Sequence, residues 1–189
     1  MQTFNEQDII RRLHDPQTMR RAFEEIVSEY GEKLYWQIRR MVTYHDDAND
    51  VLQNTFLKAW NAIENFRGDS KLSTWLFKIA YNETLTFLSH QHETISIDSR
   101  MDNDEDDSPP TLTNTLQSAP DFDGDKAEAM LQAAIDSLPP KQRSVFVMKY
   151  FKEMKYEEIS KIVGTSVGAL KASYHHAVKK IEEFFDQHD

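Results

Sequence analysis

The stretch "YEEISKIVGTSVGALKASYHHAVKKI", Tyr156 to Ile181, decides how the chain folds. A short helical pattern runs into Gly-Thr-Ser, and a longer helical pattern follows. Tyr156, Ile159, Ile162 and Val163 fall on one side of the first pattern and predict its buried face. Gly164 tolerates the left-handed conformation that ends a helix, and Thr165 or Ser166 can cap the next one. On the second pattern Val167, Leu170, Tyr174, Ala177 or Val178, Ile181 and Phe184 share a face. The other face carries Gly168, Ala169, Lys171, Ala172, His175, His176 and Lys179. This is the layout of a helix-turn-helix. Small residues near the start of its second helix let backbone approach a major groove, and the helix N-terminus favours a phosphate. An ordinary helical hairpin is the competing reading. Adjacent helical residues point about 100° apart, so His175 and His176 do not chelate one ion. His90 and His92 have no third ligand nearby, and no metal or other cofactor is expected.

A net charge of −10 looks wrong for a DNA-binding chain, but the charge is localised. Residues 1–92 hold 11 Lys+Arg and 13 Asp+Glu, a balance of −2. Residues 93–125 hold 1 and 10, a balance of −9, and residues 126–189 hold 10 and 9, a balance of +1. The ends are close to neutral, and the acidity lies in one segment. That segment includes "SRMDNDEDDSPPTLTNTLQSAPDFDGD", Ser99 to Asp125. Its three Pro, its carboxylate run and its lack of an apolar period predict a flexible linker. It reads either as a plain tether or as a nucleic-acid mimic that shields a basic groove.

The fold class that follows is all-α: two small helical domains joined by a flexible acidic linker. The expected boundaries are 1–95, 96–125 and 126–189. With 5 Gly and 6 Pro in 189 residues, chain breakers are too few for a many-stranded fold. No apolar run approaches the ~20 residues that span a bilayer, so no membrane insertion is expected. The N-terminal "MQTFNEQDIIRRLHD" places charges where a signal peptide needs an apolar stretch, and there is no Cys. A cytoplasmic protein is expected.

The N-terminal domain predicts four or five helices. Asp15-Pro16 is a helix-start signal, and Met19, Phe23, Ile26, Val27, Leu34, Ile38 and Met41 keep helical spacing beyond it. Gly31 is a candidate joint between two helices. A further helix begins near Asp46, with Ala48, Val51, Leu52, Thr55, Phe56, Ala59, Trp60 and Ile63 as its buried stripe. Its other face holds Asp50, Gln53, Asn54, Leu57, Lys58 and Asn61. An exposed Leu57 ringed by polar residues is either a commonplace of surfaces or a small docking patch. Next comes the turn Arg67-Gly68-Asp69-Ser70, with Ser70 or Ser73 as the cap of the helix that follows. Leu72, Trp75, Leu76, Phe77, Ile79, Ala80 and Tyr81 wrap most of that helix. One helix–helix contact buries one face only. Some of Trp75, Phe77 and Tyr81 are therefore expected to be exposed or shared with a partner. The plain reading is a small core; the other is a stacking platform for unpaired bases. The C-terminal domain opens with a pair of helices flanking Leu138-Pro139-Pro140, with Pro140 suited to a helix start.

Three stretches together, "DDANDVLQNTFLKAW", "FRGDSKLSTWLFKIAYN" and "LPPKQRSVFVMKYFKEMKYEEISKIVGTSVGALKASYHHAVKKI", resemble the sigma-70 family of bacterial RNA polymerase initiation factors. Two domains with nothing but a linker between them resemble the extracytoplasmic-function (ECF) group. The resemblance implies a sigma region 2-like bundle followed by a region 4-like helix-turn-helix. It implies no enzymatic activity, and partners in core RNA polymerase (β′ coiled coil and β flap) and promoter DNA. A membrane-bound anti-sigma factor is a candidate partner by the same resemblance; nothing in the sequence identifies one. Position by position, Asp50, Gln53, Asn54, Leu57 and Lys58 match the polymerase-docking region. Phe66, Arg67, Gly68, Asp69, Ser70, Lys71, Trp75 and Asn82 match the region that melts and captures the −10 element. Ser166, Gly168, Lys171, Ala172, His175, His176 and Lys179 match the reader of the −35 element. Many relatives carry Arg where Ser173, His176 and Val178 stand here. A bidentate Arg–guanine contact is worth ~1–3 kcal/mol, so the base preference shifts. The alternative is a stand-alone helix-turn-helix regulator that binds palindromic operators as a dimer.

Overall fold

Pro16 does not start a helix: Asp15 to Thr18 form a turn. The Asp15 backbone oxygen accepts from the Thr18 and Met19 amides at 3.0 and 2.8 Å, and the Asp15 side chain accepts from the Gln17 amide at 2.9 Å. A computed structural model of the chain describes residues 4–98 and 126–188. Helix α1 (Glu6–Leu13) precedes this turn, capped by Asn5, whose side chain accepts from the Asp8 amide at 3.2 Å. Helix α2 (Met19–Arg39) follows it. Gly31 is no joint, since α2 runs through it unbroken. A mid-helix glycine costs ~1 kcal/mol, and burial of Ile26, Leu34 and Ile38 on either side outweighs that. Helix α3 (His45–Ala62) ends in a 3-10 turn (Ile63–Asn65), and helix α4 (Leu72–Asp98) completes the N-terminal half.

The C-terminal half contains α5 (Lys126–Asp136), α6 (Pro140–Tyr150), α7 (Tyr156–Val163) and α8 (Val167–His188). Pro140 stands at the first position of α6, as expected. No strand occurs among the described residues, and none of their helices is long and apolar enough to cross a membrane. The acidic stretch 99–125 lies outside the described residues.

The apolar girdle of α4 has a simple cause. On one side α4 packs against α2 and α3; on another it packs against α7 and α6 of the C-terminal half. Of Trp75, Phe77 and Tyr81, some of which are expected to be exposed or shared with a partner, Phe77 and Tyr81 are therefore buried and only Trp75 stays half-buried. Residues of both halves fall in one hydrophobic cluster. Polar contacts cross the same seam. Arg143 Nη1 donates to the Met41 carbonyl at 2.8 Å. The Arg40 guanidinium sits 3.9 Å over the Phe151 ring, and Lys71 pairs with Glu158 at 3.5 Å. Burial lowers the pKa of Lys152, which stands near Arg40 and Lys33 beside this seam.

Arg143 also organises its own half. It donates to the Asp136 and Leu138 carbonyls, the latter at 3.2 Å, and pairs with the Asp136 carboxylate at 3.7 Å. Burial pushes Asp136 above the usual carboxylate range and Arg143 below its usual value, and each opposes the other's shift.

Candidate nucleic-acid interface

The helix-turn-helix forms as its residues predict. Gly164 closes α7 at φ +73°, with its amide donating to the Ser160 carbonyl at 2.9 Å. Ser166 caps α8 by accepting from the Ala169 amide at 3.3 Å. Leu170, Ala177 and Ile181 turn inward and are buried. Ser166, Gly168, Lys171, Ala172, His175, His176 and Lys179 are all exposed. The Lys171 ammonium lies 5.9 Å from the Tyr156 ring. Lys179 pairs with Glu183 at 3.6 Å along the helix, a surface pair worth ~0.5 kcal/mol or less, so its charge remains free to exchange partners. Among the described residues no cluster of three or more His, Cys, Asp or Glu is placed to hold a metal.

The loop before α4 makes a second exposed feature. Asn65, Phe66, Arg67, Asp69, Ser70 and Trp75 line an open hollow of about 330 Å³. Arg67, Gly68, Asp69 and Lys71 are exposed, whereas the Phe66 ring is buried and lies 4.9 Å from the Trp75 ring. Phe66 thus forms the floor of the hollow, with little of its ring free. Asn82 is exposed on α4 two turns past Trp75, ~10 Å along the axis, and does not line the hollow. Gly68 takes φ +76°, which a side chain would resist.

The expected caps of α4 are not used. The Leu72 amide donates instead to Glu6 Oε1 at 2.6 Å, a carboxylate 66 residues upstream. Ile10, one turn further along α1, is the atom group nearest to Gly68: a Cβ there would stand 3.8 Å from Ile10 Cδ1. No local sequence signal marks either residue, because the contact is made only by the tertiary fold.

On α3, Leu57 is 55% exposed, amid exposed Asp50, Gln53, Asn54 and Lys58. Gln53 and Leu57 border an apolar groove of about 540 Å³ with Arg20, Phe23, Glu24, Phe56 and Trp60. The α2 members of this groove carry no signal within α3, since periodicity follows one helix at a time. Trp60 sits at the stripe's edge, 36% exposed, with its ring 5.0 Å from Phe23. Lys58 reaches away from the groove to Glu83 of α4 at 2.5 Å. Burial, and then Asp50 and Asp46, raise the pKa of the nearby Asp47.

Comparison with known proteins agrees with this arrangement. Residues 26–94 match the family model of Sigma-70 region 2, and residues 128–181 match that of Sigma-70, region 4. The ECF RNA polymerase sigma factor SigW of Bacillus subtilis is 31% identical over 161 residues, 82% of this chain and 83% of the relative. RNA polymerase sigma-H factor of Pseudomonas aeruginosa is 29% identical over 180 residues, 87% of this chain and 86% of the relative. In fold, the chain is similar to CnrH, solved in complex with the cytosolic domain of CnrY. The TM-score is 0.68 at 22% identity, covering 97% of this chain and 99% of that one. It is also similar to the sigma factor RpoE of Bartonella quintana, solved with the anti-sigma factor NepR. There the TM-score is 0.67 at 22% identity, covering 87% and 96%. With both exposed loop and exposed helix on the matched regions, the chain belongs to the sigma-70 family of transcription initiation factors, in its extracytoplasmic-function group.

Proposed function

We propose that this chain acts by position rather than by catalysis, as a factor that carries core RNA polymerase to its promoters in the cytoplasm. The observation that supports this most is the recognition helix: every residue of α8 assigned to −35 reading is exposed, while the alternate face is locked in the core. Lys171 and Lys179 supply phosphate contacts, and Ala172, His175 and His176 face base edges. The hollow beside Trp75 takes an unpaired −10 base. Flipping that base costs a few kcal/mol, which stacking and pocket contacts offset. Leu57 and its groove form the apolar centre of the polymerase contact, with Asp50, Gln53, Asn54 and Lys58 as its polar rim.

The packed seam bears on this reading. Twenty-five base pairs separate positions −35 and −10, ~85 Å at ~3.4 Å per pair. The longest helix among the described residues has 27 residues, ~40 Å. Halves in mutual contact cannot reach both elements, so they separate on the promoter. The 27 residues from 99 to 125 reach at most ~95 Å when extended. Likeness to RpoE, which is solved in complex with the anti-sigma factor NepR, supports an anti-sigma partner for this chain. The domain limits we propose are 1–95 and 126–189, although α4 continues to Asp98.

The test is permanganate footprinting of polymerase loaded with this protein. Reactive thymines near −10, lost with Asn82→Ala and with Arg67→Ala, support the assignment. Binding to a palindromic operator without polymerase would favour the stand-alone regulator instead.

A further inference from the structure

Loop Phe66–Lys71 ends where α4 begins, and the first amides of a helix have no partner inside it. Lys71 precedes Leu72 and brings no acceptor. Glu6 meets this need at 2.6 Å, in a partly buried position. A side-chain oxygen that accepts from such an amide caps the helix. Ile10 lies on the same face of α1 as Glu6, four residues on, and it backs Gly68 in its left-handed conformation. One face of α1 therefore holds the loop at two points, its glycine turn and its exit into α4.

Helix α1 is itself fixed. Ile9 and Leu13 are buried. Arg12 pairs with Glu25 of α2 at 2.7 Å, and Phe4 packs edge-on against Tyr30 with ring centres 5.5 Å apart. The residues that hold the loop thus stand on an anchored element, and that element precedes the matched region, which starts at residue 26.

We infer that Glu6 is a positioning residue for the −10 loop: its carboxylate fixes the start of α4, and with Ile10 beneath Gly68 it sets the shape of the hollow that receives the unpaired base. This rests on the loop's assignment to the −10 element. Glu6 touches no DNA; it acts through the Leu72 amide. The role needs an acceptor at the right reach and does not need a charge. Two variants separate those requirements. Glu6→Asp keeps the charge at the start of α1 but draws the acceptor back by one methylene. Glu6→Gln keeps the reach and an accepting oxygen but removes the charge.

The experiment measures promoter opening by the full chain with core polymerase, on a duplex promoter and on one with a pre-opened −10 bubble. Core affinity is measured alongside, as is the ratio of opening on consensus and −10-substituted promoters. Glu6→Asp is expected to slow opening of the duplex by roughly 3- to 30-fold, the range that loss of a helix cap produces. It should also narrow the −10 base discrimination, with core affinity unchanged and the pre-opened promoter less affected. Glu6→Gln is expected to stay close to the unsubstituted protein. The reverse order, with Gln impaired and Asp normal, overturns the inference in favour of a charge effect. Equal loss in both on every readout, core affinity included, overturns it in favour of general destabilisation. Arg67→Ala and Asp69→Ala serve as loop controls. If they are impaired while Glu6→Asp is normal, only the role of Glu6 falls. If they too open the promoter normally, the loop's assignment falls, and the role of Glu6 with it.

Discussion

Arg143 Nη1 donates to the Met41 carbonyl at 2.8 Å, joining α6 to the turn that follows α2 across 102 residues of sequence. The same guanidinium serves the carbonyls of Asp136 and Leu138 and the Asp136 carboxylate. The side chain that shapes the α5–α6 corner therefore also helps tie the two halves.

Arg143→Ala leaves the largely buried Asp136 carboxylate without its ion-pair partner and three carbonyls without this donor. Removing one partner of a buried pair costs about 3–5 kcal/mol, and a loss of that size is expected in chemical denaturation. Arg143→Lys keeps the charge but not the fork of donors, and it is expected to fall between.

Leu57 offers the opposite case. It is 55% exposed, at the border of the apolar groove and outside the core. Leu57→Asp is expected to leave stability within ~0.5 kcal/mol. It is expected to weaken core-polymerase binding at least ~10-fold, the effect of a central interface residue. Titration of labelled protein with core polymerase measures it.

How far these features were legible from residues alone depends on their range. The helix-turn-helix was readable because its signals are local: Gly164 in the left-handed region, Ser166 as a cap, and an apolar period on α8. The apolar girdle of α4 was visible, but what covers Phe77 and Tyr81 was not, because α6 and α7 lie far along the chain. Gly31 misled because propensity is a weak term beside burial, and Pro16 because a turn uses its fixed φ as readily as a helix start does. The Glu6 cap was out of reach, since nothing local to Leu72 names a partner 66 residues away. Ser70 and Ser73 were sound candidates that the fold bypassed.

Lys171 is exposed on the side of α8 that we propose reads −35 DNA. Lys171→Ala is expected to weaken binding to −35 DNA by the polymerase-bound protein about equally for all sequences. It should reduce the slope of log K against log salt by ~1. His175→Ala is expected to change the ranking of −35 sequences and leave that slope in place. Binding measured across a salt series separates the two.

Tyr30 carries the largest phenol shift. Burial, followed by Glu6 and Glu29, pushes its pKa from 10.0 up to about 12. A folded pKa above the unfolded one means that the contribution is full below pH 10 and is lost as pH rises through about 12. Stability is expected to fall over that window, and Tyr30→Phe is expected to reduce the slope there. Phenolate absorbance should show one fewer late-titrating tyrosine in the variant; burial raises Tyr81 and Tyr174 as well, so their steps remain.

This chain directs RNA polymerase to promoters as a member of the sigma-70 family. The most direct measurement is run-off transcription with core polymerase and this protein on fragmented genomic DNA, with the RNA 5′ ends sequenced. Start sites absent with core polymerase alone are expected, each preceded by two shared boxes near −10 and −35. Their loss is expected with Leu57→Asp. No new start sites, together with no co-migration of the protein with core polymerase, would contradict it.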